Sequence, residues 1–284
     1  MRSYSPFITI TQAVHYGLWE GLQDDDDDSE PENTEDLPEF INGYKHILRY
    51  DPSFKAELQK LRGDTPALEK LVEVMESQAK EVRTTDSGNL KHDIVGYLPK
   101  RLFVDLVNPP IPKALSKANR GFNHPQIARM LCPRDRLDAF DSDPTMIDQL
   151  QAGSVSVTPG DWATFLYNEE DDYDTEDPAK GLFQGYLVVR VAKHIWTAPS
   201  SALKSKAGAG KSTRANNAKL HRMKRFTGRQ IAYIVVQTWF ALSSMESWDP
   251  DAENFSLKEL FNLTVELFED DPTSDWAVST LAFF

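Results

Sequence analysis

The sequence predicts a mainly α-helical fold with little or no β structure: a single multi-helix domain preceded by an acidic, disordered arm. Two observations predict the helices. Apolar residues recur at intervals of three and four, and Ser, Thr or Asp followed by proline begins several of these runs. A third observation predicts a sizeable core, since 40% of the 284 residues are hydrophobic and 15 Phe, 9 Tyr and 6 Trp are among them.

The N-terminal arm is expected over residues 1–43. Within it, residues 24–38 are rich in acids and almost free of apolar surface, so burial cannot offset the entropy of ordering and we expect a disordered linker. The preceding stretch from Phe7 to Trp19 is apolar. It is expected either to dock on the main domain or a partner, or to stay disordered.

The helical domain is expected over residues 44–284. Asp51-Pro52 and Thr65-Pro66 begin its first helices, because proline is tolerated where a helix has no N–H to pair. The segment from Arg229 to Leu242 is apolar on nearly every face and predicts the central buried helix. The other predicted helices lie at 91–98, 101–107, 124–132, 143–153, 161–167, 181–196, 256–268 and 274–281, with a short strand at 154–157.

A positively charged block lies inside this acidic chain. From Pro178 to Met245, 68 residues contain 12 Lys or Arg and no Asp or Glu. All 44 acids and the other 19 of the 31 bases lie outside it, so a block of +12 sits in a remainder of −25. Charge segregated in this way indicates an anionic partner rather than a particular fold.

The cations are densest around a flexible basic loop expected at about residues 198–226. Contacts made by such a loop neutralise phosphates by counterion release and do not read bases. One alternative is a solvated loop without a partner, and another is that the acidic linker covers the loop and screens it. The residues predicted to contact nucleic acid or an acidic partner are Lys204, Lys206, Lys211, Arg214, Lys219, Arg222, Lys224, Arg225 and Arg229.

Catalytic and metal-binding patterns are weak throughout the sequence. The string from Ala209 to Thr213 matches only the tail of a phosphate-binding loop, because Ser205 stands where its first glycine belongs. The six histidines lack metal-ligand spacing, and the single cysteine, Cys132, predicts a buried thiol. We expect no cofactor and no metal. An enzyme would have to use a pocket near Arg190 and His194, which share a helical face.

Signals for secretion and for membrane insertion are lacking in the sequence. The first residues carry too short an apolar run for a signal peptide, and no segment approaches the roughly 20 apolar residues of a membrane helix. The pattern from Lys219 to Arg225 resembles a nuclear import signal. We therefore expect a nuclear or cytoplasmic protein without a membrane partner, and its oligomeric state stays open.

Seven strings between Asn119 and Ser244 form a specific combination. They are Asn119-Arg-Gly-Phe-Asn-His-Pro125, Ala128-Arg-Met-Leu-Cys-Pro133, Asp161-Trp-Ala-Thr-Phe-Leu-Tyr167, Gly181-Leu-Phe-Gln-Gly-Tyr-Leu-Val-Val-Arg190, His194-Ile-Trp-Thr-Ala-Pro-Ser-Ser-Ala202, Ala232-Tyr-Ile-Val-Val-Gln237 and Phe240-Ala-Leu-Ser-Ser244. Together they resemble an uncharacterised domain family that is expanded in mushroom-forming fungi. The resemblance covers roughly Asp51 to the C-terminus and implies no activity, cofactor or catalytic residue. It fits a variable basic loop after Ala202.

From these observations we expect a non-enzymatic interaction module that contacts nucleic acid, chromatin or an acidic protein through its basic loop. Two alternatives remain open. The first is a protein scaffold that uses the apolar N-terminal arm, and the second is an enzyme of unknown class with a site near Arg190 and His194.

Overall fold

The computed structural model describes residues 4–20, 36–61, 63–112, 116–203, 216–252 and 254–284, with the backbone alone at Trp19 and Glu20. The described chain is mainly helical, as the sequence predicts. Most of the predicted acidic linker and residues 204–215 of the basic loop lie outside these ranges. The helices are α1 Ile10–Glu20, α2 Leu37–Tyr50, α3 Phe54–Lys60, α4 Thr65–Tyr97, α5 Pro125–Leu131, α6 Leu137–Ser142, α7 Met146–Gln151, α8 Tyr186–Trp196, α9 Pro199–Ala202, α10 Asn217–Leu220, α11 Gly228–Leu242, α12 Leu257–Glu269 and α13 Asp275–Phe283.

The chain divides into two compact units, unit 1 from Met1 to Thr85 and unit 2 from Asp86 to Phe284. The sequence places the boundary at 43/44 instead, which falls inside α2. Helix α4 contributes to both units. Its 33 residues join two stretches that the sequence treats as separate helices, because Thr84-Thr-Asp-Ser-Gly88 interrupts the apolar pattern without interrupting the backbone hydrogen bonds.

Unit 1 is built around the contact between α1 and α2. Gly17 lies against the ring of Tyr44 so closely that a Cβ atom would stand 2.1 Å from it, which lets the two helices approach. The apolar residues of the predicted arm are used in this packing: Ile10 and Val14 join Tyr44 in one buried cluster, and Ile8 joins another. The stretch from Phe7 to Trp19 is therefore helical over most of its length and contributes to the core of unit 1.

Unit 2 has α11 at its centre. All of its residues except Arg229 are buried, which confirms the predicted central helix. A capping box begins the helix, in which the Thr227 side chain accepts from the Gln230 backbone N–H and the Gln230 side chain accepts from that of Thr227. The faces of α11 pack against α5, α8 and α12. Trp239 also stacks on Phe255, with ring centroids 3.9 Å apart.

Three local predictions are wrong. Residues 101–107 form a turn instead of a helix, because Phe103 adopts a φ of 67° that no α-helix contains. Residues 154–157 form no strand: the N–H groups of Ser154 and Val155 donate back to the Gln149 carbonyl at the end of α7. The segment after Asp161 forms only a 3₁₀ turn, Thr164–Leu166. The short antiparallel pair Asp251–Ala252 and Phe255–Ser256 is not predicted by the sequence.

Alanine substitutions at two glycines are expected to change the stability of the protein in opposite directions. A Cβ atom at Gly228, in the first turn of α11, would stand 2.5 Å from the Cβ of Phe268 on α12. We expect Gly228→Ala to lower the free energy of unfolding by about 1–3 kcal/mol, because neither backbone can move apart freely. The matched control is Gly88→Ala in α4, where no atom lies within 4 Å of the new Cβ. This change is expected to raise helix stability by about 0.5–1 kcal/mol. Urea unfolding measures both, and equal effects of the two variants would contradict the packing described.

Candidate nucleic-acid interface

Residues 216–226, the described far end of the predicted basic loop, are held on the end of α8. Asn216 caps the single turn α10 by accepting from the Lys219 N–H, and the Asn217 side chain donates to the Ile195 carbonyl at 2.5 Å. The buried indole of Trp196 meets the ring of His221 edge-on at 5.6 Å between centroids. Aromatic packing therefore anchors this segment on unit 2.

A second aromatic contact closes the segment at its far end. The Phe226 ring packs against Trp196 at 6.3 Å and against the C-terminal Phe284 at 5.2 Å between centroids. Phe226 is the one aromatic residue of the predicted loop, and it is used internally. Base stacking by this ring would require the anchor to open.

Four of the predicted contact residues lie on this anchored segment with exposed side chains. We call them the basic ridge: Lys219, Arg222, Lys224 and Arg225. Within the described parts of the chain none of the four forms an ion pair, and the sequence places no acid between Pro178 and Met245. The ridge therefore presents four cations in seven residues to solvent.

The fifth described contact residue differs from the ridge. Arg229 donates two hydrogen bonds to the Glu269 carboxylate on α12, at 2.7 and 2.9 Å, and its side chain is largely buried. This bidentate pair ties the start of α11 to the end of α12. The other four predicted residues, Lys204, Lys206, Lys211 and Arg214, lie outside the described residues.

Arg190, which the sequence offers for a catalytic pocket, holds the end of α4. Its guanidinium donates to the carbonyls of Tyr97 and Pro99 at 2.6 Å each and to that of Lys100 at 2.8 Å. It also lies over the Tyr186 ring, 4.6 Å from the centroid. Because a helix leaves its last carbonyls unpaired, these bonds give Arg190 a structural role.

His194 is buried on the inner face of α8. Its Nδ1 lies 2.8 Å from the Tyr97 hydroxyl and 3.7 Å from an Asp93 carboxylate oxygen. Burial lowers the pKa of this imidazole, against the opposing effect of Asp93. His194 is thus a neutral, hydrogen-bonded core residue at ordinary pH.

Two buried cations that the sequence analysis misses hold the other end of α11. Lys117 donates from Nζ to the Phe240 carbonyl at 2.7 Å and lies over the Phe240 ring at 3.5 Å. Arg120 donates to the Ala241 carbonyl at 2.9 Å and to the Lys91 carbonyl on α4 at 2.7 Å. N–H donors are needed here because the last carbonyls of a helix have no hydrogen-bond partner within the helix. No periodicity or motif marks these two residues in the sequence.

Glu246 fixes the segment that carries Lys117. Its carboxylate accepts from the Ser116 hydroxyl and the Lys117 backbone N–H at 2.6 Å each, and it lies 3.3 Å from the Lys91 ammonium. These bonds lower the pKa of Glu246 to about 2. Burial, together with the neighbouring charges of Arg120 and Lys91, lowers the pKa of Lys117 to about 7 despite the opposing Glu246.

Other chemistry is sparse in the described residues. Cys132 is buried, and burial raises the pKa of its thiol to about 11, which makes it a poor nucleophile. No group of three or more His, Cys, Asp or Glu with the geometry to hold a metal ion occurs in the ranges that the structure describes. Those same ranges contain no helix that is long and apolar enough to cross a bilayer.

The buried ammonium of Lys117 gives a testable pH dependence. Its folded-state pKa near 7 lies below the ordinary lysine value of 10.5, so above pH 7 the unfolded chain binds the proton that the folded chain has released. We therefore expect the free energy of unfolding to gain about 1 kcal/mol per pH unit between pH 7.5 and 9.5 from this group. Urea unfolding of wild type and Lys117→Met across this range measures the gain.

The control for this test is Lys180→Met, because Lys180 is exposed. It is expected to keep the wild-type slope, whereas Lys117→Met loses it. The same slope in Lys117→Met and wild type would contradict the burial of a titrating ammonium against Phe240.

Comparison with known proteins matches most of the chain to a protein family. The model of a family described as "Family of unknown function (DUF6698)" matches residues 77–284. No curated protein and no solved structure matches the chain. The matched region contains unit 2, including α11, the buried cations Lys117 and Arg120 at its C-terminal end, and the basic ridge. Since it spans well over half of the sequence, the chain belongs to this family of unknown function (DUF6698).

Proposed function

We propose that the protein is a non-enzymatic interaction module, nuclear or cytoplasmic, that binds nucleic acid through the basic ridge. The observation that carries the proposal is the exposure of Lys219, Arg222, Lys224 and Arg225 on an anchored segment without ion pairs to the described residues. Cations that are not already paired within the protein remain available to replace the counterions of a phosphate backbone.

Anchoring supports the proposal as much as charge does. A mobile lysine-rich loop loses conformational entropy when it binds, and that loss weakens the contact. Here Asn217 and the rings of His221 and Phe226 already fix the backbone that carries the cations. Less entropy is then lost on binding, so four charges make a stronger contact than they would on a free loop.

The expected binding mode is contact with the phosphate backbone and not with bases. Arginine and lysine side chains on a short turn match phosphate oxygens, but the ridge lies on no long helix or sheet that would enter a groove. Phe226 is occupied by Trp196 and Phe284. We expect weak dependence on base sequence and strong dependence on salt. An acidic protein surface is the competing partner for the same ridge.

The two alternatives have less support from the geometry. The apolar residues of the N-terminal arm pack within unit 1, so a neighbouring chain is not needed to explain them. Arg190 and His194 are engaged by the carbonyls after α4 and by Tyr97, so their bonds are explained without a substrate. A scaffold or an enzyme would have to use other residues.

Binding to a labelled DNA duplex tests the proposal. Replacing all four ridge cations by alanine should remove the contact, because the variant has no ridge cation left to neutralise a phosphate. Each phosphate contact that is lost should also reduce the salt dependence of binding. With four phosphate contacts the slope of log K against log salt is about −3.6, and the ridge contribution disappears in the variant. Fluorescence anisotropy of the full-length chain at several salt concentrations measures both the affinity and the slope.

The matched control replaces four exposed lysines elsewhere, Lys55, Lys70, Lys80 and Lys180, by alanine. It changes the net charge by the same amount, so it should bind with nearly wild-type affinity if the ridge is the site. Equal losses of affinity in the two variants would show that binding depends on the net charge of the chain and not on the ridge. A wild-type chain that binds no duplex at low salt, yet binds an acidic peptide through the ridge, would overturn the nucleic-acid proposal.

A further inference from the structure

An exposed apolar segment follows α4 in unit 2. It covers residues 102–107, which we call the apolar strap. Phe103 is 90% exposed, Leu106 82% and Val104 64%. Scattered apolar residues on a surface are ordinary, but three large ones within four residues form a patch of the kind that marks a contact site.

Hydrogen bonds hold the strap at its base and within its turn. Before it, Arg190 binds the carbonyls of Pro99 and Lys100. Inside the turn, the Asp105 carboxylate accepts from the Arg101 backbone N–H at 2.8 Å and from its guanidinium at 2.7 and 3.0 Å.

The far end is held in the same way. The Gln126 side chain accepts from the Asn108 N–H at 3.0 Å, and His124 Nε2 lies 2.8 Å from the Pro109 carbonyl oxygen. The exposure of the strap is therefore a property of an ordered turn and not of a loose loop.

Phe103 has a conformation that bulky residues rarely adopt. Its φ of 67° lies in the left-handed region, which favours glycine or asparagine. The ring of this strained residue is almost fully exposed to solvent. Backbone strain that gives no packing in return is typical of a residue that acts in a contact with another molecule.

A cleft of about 270 Å³ lies beside the strap. Its wall includes Leu106 of the strap itself, and apolar side chains such as Leu98, Met130, Phe165 and Leu187 also line it. Phe103 is not part of the lining. A dry apolar cavity of about 150 Å³ already holds a benzene ring, so this cleft has room for a phenyl side chain.

Four charged side chains also line the cleft, and each has a partner of opposite charge. Lys100 and Glu169 form an ion pair at 3.2 Å, and Arg101 and Asp105 form another at 2.7 Å. A third pair, Arg129 with Asp141, lies at 2.6 Å. In a chain of net charge −13, a locally neutral surface of both signs does not repel a copy of itself.

From this juxtaposition we propose that the strap is a self-association surface, in which Phe103 of one chain enters the cleft of a second copy while the second Phe103 enters the cleft of the first. In a two-fold contact both chains use the same surface patch, so that patch must carry both the group that inserts and the cleft that receives it. The strap and the neighbouring cleft provide both on one unit. The rings supply the buried anchors and the neighbouring ion pairs form the rim.

Sedimentation equilibrium of the full-length chain tests the association. We expect a monomer–dimer equilibrium in the micromolar range and at least about a tenfold rise in Kd for Phe103→Gly. Glycine relieves the strain at φ 67°, so this variant is expected to fold at least as stably as wild type while it loses the dimer. Leu220→Gly, which removes another exposed apolar side chain, is the control and keeps the wild-type Kd.

A mixing experiment tests the knob-and-cleft arrangement itself. Met130→Glu places a charge in the cleft and leaves Phe103 intact, so neither it nor Phe103→Gly should form homodimers. Mixed together, they regain one of the two contacts, because Phe103 of the Met130→Glu chain enters the intact cleft of the Phe103→Gly chain. Sedimentation velocity with one labelled chain should therefore show a heterodimer that neither variant forms alone.

Three results would overturn the proposal. The first is a wild-type chain that stays monomeric up to about 100 μM, including one that instead pellets with phospholipid vesicles. The second is a dimer that Phe103→Gly leaves intact. The third is a mixture of two folded variants, as judged by circular dichroism and thermal unfolding, that gives no heterodimer.

Discussion

Unit 2 depends on one constraint: α11 is buried, and the carbonyls at its C-terminal end must still receive hydrogen bonds. A helix surrounded by other helices cannot leave its last carbonyls to water. Lys117 and Arg120 donate hydrogen bonds to the carbonyls of Phe240 and Ala241, and Arg120 also donates to the Lys91 carbonyl on α4. A buried charge and a buried carbonyl both cost free energy unless they are hydrogen-bonded. These bonds therefore stabilise the two side chains and the end of the helix together.

The same arrangement explains why so many charged residues of this chain are structural. Arg190 satisfies the carbonyls that follow α4, and Arg229 joins α11 to α12 through Glu269. Each of these cations is held by carbonyls or a carboxylate of its own unit. The ridge cations Lys219, Arg222, Lys224 and Arg225 differ, because they lie on a segment anchored by rings and are exposed. The proposed function rests on these exposed cations, because Arg190 and Arg229 are already engaged within unit 2.

The predictions that succeeded rest on strong local patterns, although weaker local patterns at 101–107 and 154–157 gave wrong predictions. The apolar run from Arg229 to Leu242 predicts a buried helix, and α11 confirms it. The helices predicted from Ser256 and Ser274 are also present, and each serine hydroxyl accepts from a backbone N–H three residues on, that of Glu259 or Ala277. The helix predicted to end at Gly153 ends close to it, and Gly153 has a left-handed φ of 69°. These features depend on residues a few positions apart, so neighbouring side chains are enough to predict them.

What the sequence could not give depends on distant residues. Lys117 binds a carbonyl 123 positions away, and nothing near it in the sequence distinguishes it from a surface lysine. The prediction of a helix at 101–107 failed because Phe103 adopts a left-handed φ of 67°, and because the distant Arg190 holds the carbonyls of Pro99 and Lys100 just before this segment. Of the predicted contact residues, composition could not separate Arg229, which pairs with Glu269, from the four exposed ridge cations.

The most direct test of the central claim is an NMR titration of the full-length chain with a short DNA duplex, followed through the backbone amides. If the anchored ridge is the contact surface, the shifts fall on residues 216–227 and spare the amides of α11 and α12, because the core stays closed. Shifts confined to other surfaces, or shifts throughout α11 that report opening of the core, would contradict the account.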